Sequence, residues 1–133
     1  MITVRILAAL GLMAYLPNCG GDETLTGYGA ADVEWQLQEI AGERFAARAT
    51  LSFPEEGKLS GDAPCNSYTG RQTAPYPWFQ ATDIAVTRRA CPDLPAETRF
   101  LQELGAMTLA EVVGDTLILS DDDGREMVFH ALR

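Results

Sequence analysis

The hydrophobic residues of this chain recur mostly with a period of two, which is the pattern of β-strands that bury one face. Apolar and polar residues alternate in this way over 33–37 and again over 49–53. The turn-forming sequence Pro-Glu-Glu-Gly at 54–57 separates the second stretch from 58–61. This order of strand, turn and strand predicts a β-hairpin.

Strand-like stretches continue to the C-terminal end of the sequence. We predict further strands over 68–73, 79–87, 110–113, 116–120 and 126–131. Gly114-Asp115 and the acidic loop 121–124 separate the last three and are typical of hairpins. A calcium site in the acidic loop is disfavoured, because positions 5 and 12 counted from Asp121 hold Arg125 and Leu132 instead of oxygen ligands.

One segment has a helical period instead. Over about 94–106, Phe100, Leu101 and Leu104 fall on one face of a helix. Asp93 is the predicted N-cap and Gly105 the predicted stop. We therefore predict a mainly β fold, a small antiparallel barrel or strongly curved sheet of about seven strands, with one α-helix closing one end or face.

Length and charge limit the classes of function. A chain of 133 residues has room for one ordinary domain. Nineteen acidic and ten basic residues are consistent with a formal charge of −9, and such a surface repels the phosphate backbone of nucleic acids. The sequence contains one histidine, His130, which excludes a site built from several histidines. We expect no metal, no cofactor and no nucleic-acid partner.

The N-terminal residues have the layout of an export signal. A single positive charge, Arg5, precedes the eleven-residue apolar run 6–16. As a helix, this run would extend about 17 Å, which is too short for a hydrocarbon core of about 30 Å. We interpret 1–18 as a signal peptide. Residues 19–31 are then a predicted flexible tether, and 32–133 the folded domain.

Cys19 follows this run after Pro17 and Asn18, and its position resembles that of the lipidated cysteine in the lipobox of bacterial lipoproteins. Asn18 stands where that motif usually has a small residue, so plain secretion and an uncleaved anchor remain alternatives. The expected location is the bacterial periplasm, with the outer membrane favoured over the inner. Membrane contact is expected only through the lipid.

Two cysteines remain in the predicted domain, Cys65 and Cys91. Neither lies in a C-x-x-C pair, and an exported domain meets oxidising conditions. A disulfide between them is the favoured interpretation. The alternative is that both are small buried hydrophobic residues.

Two strings of the sequence are specific, Cys-Asn-Ser-Tyr-Thr-Gly at 65–70 and Thr-Arg-Arg-Ala-Cys-Pro at 87–92. Three others accompany them, namely Glu97–Leu104, Gly114–Leu119 and the opening Trp35-x-Leu37. Together these strings resemble the META domain family, which includes the HslJ-like heat-shock proteins of bacterial envelopes. The resemblance implies a compact, mainly β, often lipid-anchored or periplasmic domain, associated with stress or motility phenotypes. It implies no established enzymatic activity and supplies no catalytic residues.

Two candidate sites of chemistry come from single residues and one doublet. Cys65 could act as a nucleophile with His130 as its base, but nothing in the sequence places them together, so no catalytic residue is predicted. Arg88 and Arg89 could form an anion clamp, since a guanidinium matches carboxylate or phosphate geometry. The favoured alternative is that one of them pairs with a nearby carboxylate while the other is solvated.

The aromatic corner around Tyr76 and Trp78 is the best candidate for a binding surface, together with Arg88. Tyr and Trp side chains held by prolines can present a rigid apolar platform. The favoured interpretation, however, is that these two rings plug one end of the barrel together with Phe79 and Tyr68. We predict a non-enzymatic interaction module that binds another envelope protein or a cell-wall component. The alternative is a small-ligand carrier that binds within the barrel. Bulky residues at the inward positions favour the module, namely Trp35, Leu37, Leu51, Phe53, Leu117, Leu119, Met127 and Phe129.

Overall fold

The computed structural model describes residues 23–132 as an antiparallel sheet and one α-helix. The strands are β1 (Glu34–Ile40), β2 (Glu43–Arg44), β3 (Thr50–Ser52), β4 (Lys58–Asp62), β5 (Ser67–Arg71), β6 (Thr82–Val86), β7 (Leu109–Val113), β8 (Thr116–Ser120) and β9 (Glu126–Leu132). The helix is α1 (Leu94–Ala106), and a single 3₁₀ turn covers Leu25–Tyr28. This confirms the predicted mainly β fold with one helix.

The strands form one sheet in the order β6-β5-β4-β3-β1-β9-β8-β7, and the short β2 pairs with β1. The sheet is not closed by pairing of its edge strands. Residues just before β6 approach β7 instead, where Trp78 and Leu109 form a single antiparallel bridge. The Phe79 N–H donates to the Thr108 carbonyl at 2.8 Å, and the Ala110 N–H donates to the Pro77 carbonyl at 2.8 Å. These bonds cover the outer edge of β7.

This use of residues 77–79 corrects the predicted strand 79–87. β6 begins only at Thr82, because the preceding segment is bonded to β7 and not to β5. The strand predicted over 68–73 likewise ends at Arg71, and the Gln72 side chain then accepts from the N–H of Gln80 at 2.9 Å. Alternation of apolar residues could not reveal either end, since both depend on partners far along the chain.

All eight positions predicted to point inward are buried, with exposures of 0 to 3%. The largest of these side chains is Trp35, whose indole N–H donates to the Ala30 carbonyl at 3.3 Å. Phe100 and Leu104 of α1 add to the same core. The ring of Phe100 lies edge-on to Tyr68, with centroids 5.6 Å apart. The inward faces of the strands are therefore filled by their own side chains.

The ends of α1 differ from the predicted chemistry. Asp93 occupies the N-cap position, but its side chain makes no capping hydrogen bond. Gly105 lies inside the last turn and is not the stop. The helix ends where Met107 becomes extended, with φ −71° and ψ 139°, and buries its side chain to 2% exposure. Burial of Met107 in the core thus accounts for the end of the helix.

The predicted flexible tether over 19–31 is wrong for its described part. Leu25 and Ala30 are fully buried, with 0% exposure, and Ala31 forms a bridge with Phe53. The domain therefore begins before the predicted boundary at residue 32. The predicted signal peptide 1–18 and Cys19 lie outside the described residues. Among residues 23–132 we find no helix long and apolar enough to cross a membrane.

Candidate functional site

Asn66 lies in the loop between β4 and β5, and its side chain makes four hydrogen bonds near the predicted site. Its Oδ1 accepts from the Arg89 N–H at 2.5 Å and from the Thr87 hydroxyl at 3.0 Å. Its Nδ2 donates to the Arg89 carbonyl at 2.9 Å and to Glu97 Oε2 at 2.7 Å. We call Asn66, Thr87, Glu97 and the backbone of Arg89 the Asn66 network.

Glu97 brings a carboxylate into this network from the first turn of α1, and its exposure is only 4%. Its second oxygen, Oε1, accepts from the Cys65 N–H at 3.0 Å. Both oxygens are therefore hydrogen-bonded to neutral donors, and no ion pair of Glu97 occurs with another residue of 23–132. Such a carboxylate joins α1 to the loop that precedes β5.

The disulfide predicted between Cys65 and Cys91 is present, with Cα atoms 5.6 Å apart. It closes the same region as the Asn66 network, because Cys65 adjoins Asn66 and Cys91 lies two residues after Arg89. The alternative of two free buried thiols is excluded. Cys65 has no free thiol to serve as a nucleophile, and His130 lies exposed on β9.

A cleft of about 560 Å³ adjoins this loop and is lined by Arg48, Arg88, Arg89 and Asp62, among others. We call it the basic cleft. Arg48 is paired with Glu34 at 3.3 Å and with Asp62 at 3.8 Å. The exposed guanidinium groups of Arg88 and Arg89 form no ion pair within the described part of the chain. The favoured alternative, in which one of the doublet pairs with a carboxylate, is not what the structure shows.

The aromatic corner forms a second, separate surface. The rings of Tyr28 and Tyr76 stack with centroids 4.6 Å apart and planes 9° apart. The Tyr76 hydroxyl accepts from the Val112 N–H at 3.2 Å. Trp78, at 58% exposure, lies opposite Leu109 in the bridge to β7. We call Tyr28, Tyr76, Trp78 and Leu109 the aromatic surface.

The structure does not bring the predicted trio of Tyr76, Trp78 and Arg88 together. The two aromatic residues precede β6 and Arg88 follows it, and a five-residue strand extends about 13 Å. Tyr76 and Trp78 belong to the aromatic surface, whereas Arg88 lines the basic cleft. Phe79 and Tyr68 are core residues with 2% exposure, so the plug interpretation is right for them and wrong for Trp78.

Sequence reasoning missed the residues that hold the basic cleft in place. Asn66 and Glu97 lie inside the strings that carry the family resemblance. Their position inside these strings was the available signal. Tyr28 and Leu109 were also missed, because they reach the aromatic surface from segments far from Trp78 in the chain. No local sequence pattern predicts that these distant segments lie together in the fold.

Tyr68 lies on β5, two residues after Asn66, and its side chain is buried in the core. Its buried hydroxyl donates to the Thr50 carbonyl at 2.5 Å. A Cβ atom added at Gly61 would lie 2.1 Å from that carbonyl oxygen and 2.7 Å from the Tyr68 hydroxyl oxygen, so only glycine fits there. Burial raises the pKa of Tyr68 well above its ordinary value, and the negative charge of Asp62 adds to the effect.

The acidic loop 121–124 is a hairpin connection, as its turn residues predicted. Asp121 Oδ1 accepts from the N–H groups of Asp123 at 2.9 Å and Arg125 at 2.8 Å. Gly124 has φ 81°, a conformation that favours glycine. No group of His, Cys, Asp or Glu residues suited to a metal ion is found over 23–132.

Comparison with known proteins identifies one matching family model and several solved structures with a similar fold. A family model described as the META domain matches residues 25–133. A protein from Burkholderia xenovorans solved by NMR is 21% identical, with a TM-score of 0.63, and the match covers 80% of this chain and 86% of that one. A DUF4847 family protein from Bacteroides vulgatus is 11% identical, with a TM-score of 0.60 and coverage of 77% and 94%. At these low identities, similarity to the solved structures supports the fold alone. No curated protein matches.

Proposed function

Since the chain belongs to the META domain family, we propose that it is a non-enzymatic interaction module of the bacterial cell envelope, anchored by lipid at Cys19. The basic cleft is the recognition site in this proposal, and its partner is a carboxylate-bearing envelope protein or cell-wall component. The observation that carries it is the pair of guanidinium groups of Arg88 and Arg89, which form no ion pair with another residue of 23–132, on a backbone held by Asn66.

The fixed backbone is what makes this doublet suited to recognition. The N–H and the carbonyl of Arg89 are both bonded to the Asn66 side chain. The loop therefore has little conformational freedom left to lose when a partner binds, which favours affinity. A guanidinium can donate two parallel hydrogen bonds to a carboxylate. The protein has a formal charge of −9, so this cleft with its unneutralised arginines is a locally positive region on a mainly negative protein.

Several features support the location and the absence of catalysis. The apolar run before Cys19 and the disulfide both agree with export to an oxidising compartment. The only two cysteines of the described domain are bonded to each other, which removes the thiol nucleophile considered from the sequence. Resemblance to the heat-shock proteins of bacterial envelopes supports a role in stress.

The carrier alternative has less support than the interaction module. A carrier needs a hollow interior with room for its ligand, whereas the inward positions here hold large side chains with almost no exposure. The basic cleft and the aromatic surface, by contrast, both face solvent. We therefore place binding at the surface of the domain.

The recognition site is tested by sedimentation with purified peptidoglycan sacculi, whose peptide stems carry carboxylates. The double variant Arg88→Ala/Arg89→Ala keeps the backbone contacts to Asn66 and removes both guanidinium groups. We expect it to bind at least about tenfold more weakly, since one charge-assisted hydrogen bond contributes about 1.5 to 3 kcal/mol. Arg71→Ala is the matched control, because Arg71 is another exposed arginine and lies on β5 outside the basic cleft. Equal binding by all three proteins would reject the site.

The anchor is tested separately in a bacterial host with radiolabelled palmitate. Wild-type protein should incorporate the label, and Cys19→Ser should not. Label in both proteins or in neither would reject lipidation at Cys19 and favour plain secretion or an uncleaved anchor.

A further inference from the structure

The aromatic surface carries three of the six large hydrophobic side chains that are exposed in the described part of the chain. Trp78 is 58% exposed, Tyr28 is 51% exposed and Leu109 is 36% exposed. Val113, at 55%, continues the exposed side of β7. Tyrosine and tryptophan rings are amphipathic, and they are favoured where an apolar medium meets water. The surface therefore has the composition of a contact with a protein or with a lipid headgroup layer.

The path of the chain decides between these two partners. The carbonyl of Glu23, the first described residue, accepts from the Tyr76 N–H at 2.6 Å. The N-terminal segment therefore reaches the domain at the aromatic surface. Cys19 lies four residues before Glu23, and four residues span at most about 14 Å. The backbone of Cys19 therefore lies within about that distance of Glu23, the residue that is bonded to Tyr76.

We propose that the aromatic surface rests on the headgroup layer of the membrane that holds the lipid anchor. This inference rests on the lipidation in the proposed function, and it extends membrane contact beyond the lipid chain to the folded domain. One short tether brings Tyr28 and Trp78 to the bilayer at no further translational cost, so even weak insertion of the rings becomes effective.

A consequence of this contact is a fixed orientation of the domain. Arg88 follows β6 and Trp78 precedes it, and the five residues of this strand extend about 13 Å. With the aromatic surface on the membrane, an inclination of β6 to the bilayer would hold the basic cleft away from the headgroups, where an envelope partner can reach it.

The two tryptophans make this contact measurable. Trp35 is fully buried, with 0% exposure, whereas Trp78 is largely exposed, and the sequence contains no other tryptophan. Full-length lipidated protein is reconstituted into phosphatidylcholine vesicles with or without brominated acyl chains, which quench nearby indoles. We expect a blue shift of the Trp78 emission and loss of most of it in the brominated vesicles. Trp78→Phe, which retains Trp35, should show neither change.

Mass spectrometry of the same samples separates this proposal from the proposed function. Lipid on Cys19 with Trp78 unshifted and unquenched would overturn the membrane contact while leaving the anchored module intact. An absence of lipid on Cys19 in wild-type protein would overturn both, since the contact has then lost its tether. Trp78 that is shielded from aqueous acrylamide in isolated envelopes, yet unquenched by brominated lipid, would assign the surface to a protein partner and also overturn the proposal.

Discussion

The basic cleft and the aromatic surface are held in place by different kinds of contact. Behind the cleft, Asn66 and Glu97 are buried, and their polar atoms are bonded to one another and to the backbone. The aromatic surface is instead held in place by a stacked pair of tyrosines and by a few hydrogen bonds to the backbone of β7. Buried hydrogen bonds thus fix the backbone of Arg89, whereas the exposed aromatic rings are supported by ring stacking and by bonds at the outer edge of β7.

This difference has an energetic consequence. When one member of a buried polar network is removed, the others lose their partners, and each unsatisfied buried group costs about 1 to 3 kcal/mol. When a half-exposed contact is removed, water takes the vacant place and little is lost. The four predictions below test this contrast, and they run from the largest expected change in stability to the smallest.

Asn66→Ala removes the centre of the network behind the basic cleft. Four hydrogen bonds are lost, and Glu97 keeps only the Cys65 N–H as a partner. We expect the free energy of unfolding to fall by about 4 kcal/mol. The melting temperature should drop by about 15 °C or more, as measured by circular dichroism.

The control for this prediction is Gln102→Ala. Gln102 is exposed on α1, and its replacement by the best helix former should change the melting temperature little. If Asn66→Ala melts within a few degrees of this control, the network does not hold the loop and the contrast between the two surfaces fails.

Removing the disulfide should have the next largest effect. The bridge joins residues 26 apart, and the double variant Cys65→Ala/Cys91→Ala should lose about 3.5 kcal/mol on the chain-entropy model. Hydrogen exchange should show where the native state loosens. After correction for the change in global stability, the Arg89 amide should exchange faster in the variant than in the wild type, and the Val112 amide should not. Equal acceleration at both amides would mean that the bridge stabilises the domain as a whole and not the basic cleft in particular.

Tyr68→Phe tests how far the polar region extends into the core. Loss of the bond to the Thr50 carbonyl should cost about 1 kcal/mol at neutral pH. Because burial raises the pKa of Tyr68 in the folded state, only the unfolded chain releases this proton just above pH 10. The contribution of Tyr68 to the free energy of unfolding of the wild type should therefore be constant below about pH 10. Above that pH it should fall by up to about 1.4 kcal/mol per pH unit.

The variant should show a flatter decline above that pH, as measured by urea denaturation. Ile40→Val is the matched control, since loss of one buried methylene also costs about 1 kcal/mol and leaves the phenol in place. It should keep the wild-type slope. A slope in Tyr68→Phe as steep as in this control would mean that the alkaline loss of stability arises elsewhere.

Most of the fold could be predicted from the sequence because alternation is a local signal. Leu51 and Phe53, or Leu117 and Leu119, show which face of a strand is buried without knowledge of its partner. The helix followed in the same way from the spacing of Phe100 and Leu104. Errors occurred where a segment owes its conformation to distant contacts, as in the burial of Leu25 and in the bonds that tie residues 77–79 to β7.

The candidate site was harder to predict for the same reason. Arg88 and Trp78 are ten residues apart in the sequence, and nearness in the chain suggested nearness in space. The strand between them, β6, separates them instead. Asn66 and Glu97 acquire their role only when α1 packs beside the loop before β5, and neither residue has a local pattern that reveals this. The aromatic surface likewise exists only because Tyr28 and β7 meet at Tyr76.

Tyr76→Phe should have the smallest effect of the four. The ring and its stacking on Tyr28 are retained, and the Val112 N–H loses an acceptor at 3.2 Å in a half-buried position that water can occupy. We expect a loss of at most about 1 kcal/mol, with faster hydrogen exchange confined to the Val112 amide and its neighbours on β7. The Arg89 amide serves as the internal control and should keep its wild-type rate. A loss as large as that of Asn66→Ala, or faster exchange at Arg89, would show that the two surfaces are one cooperative structure, because a change at the outer edge of β7 would then have reached the loop before β5.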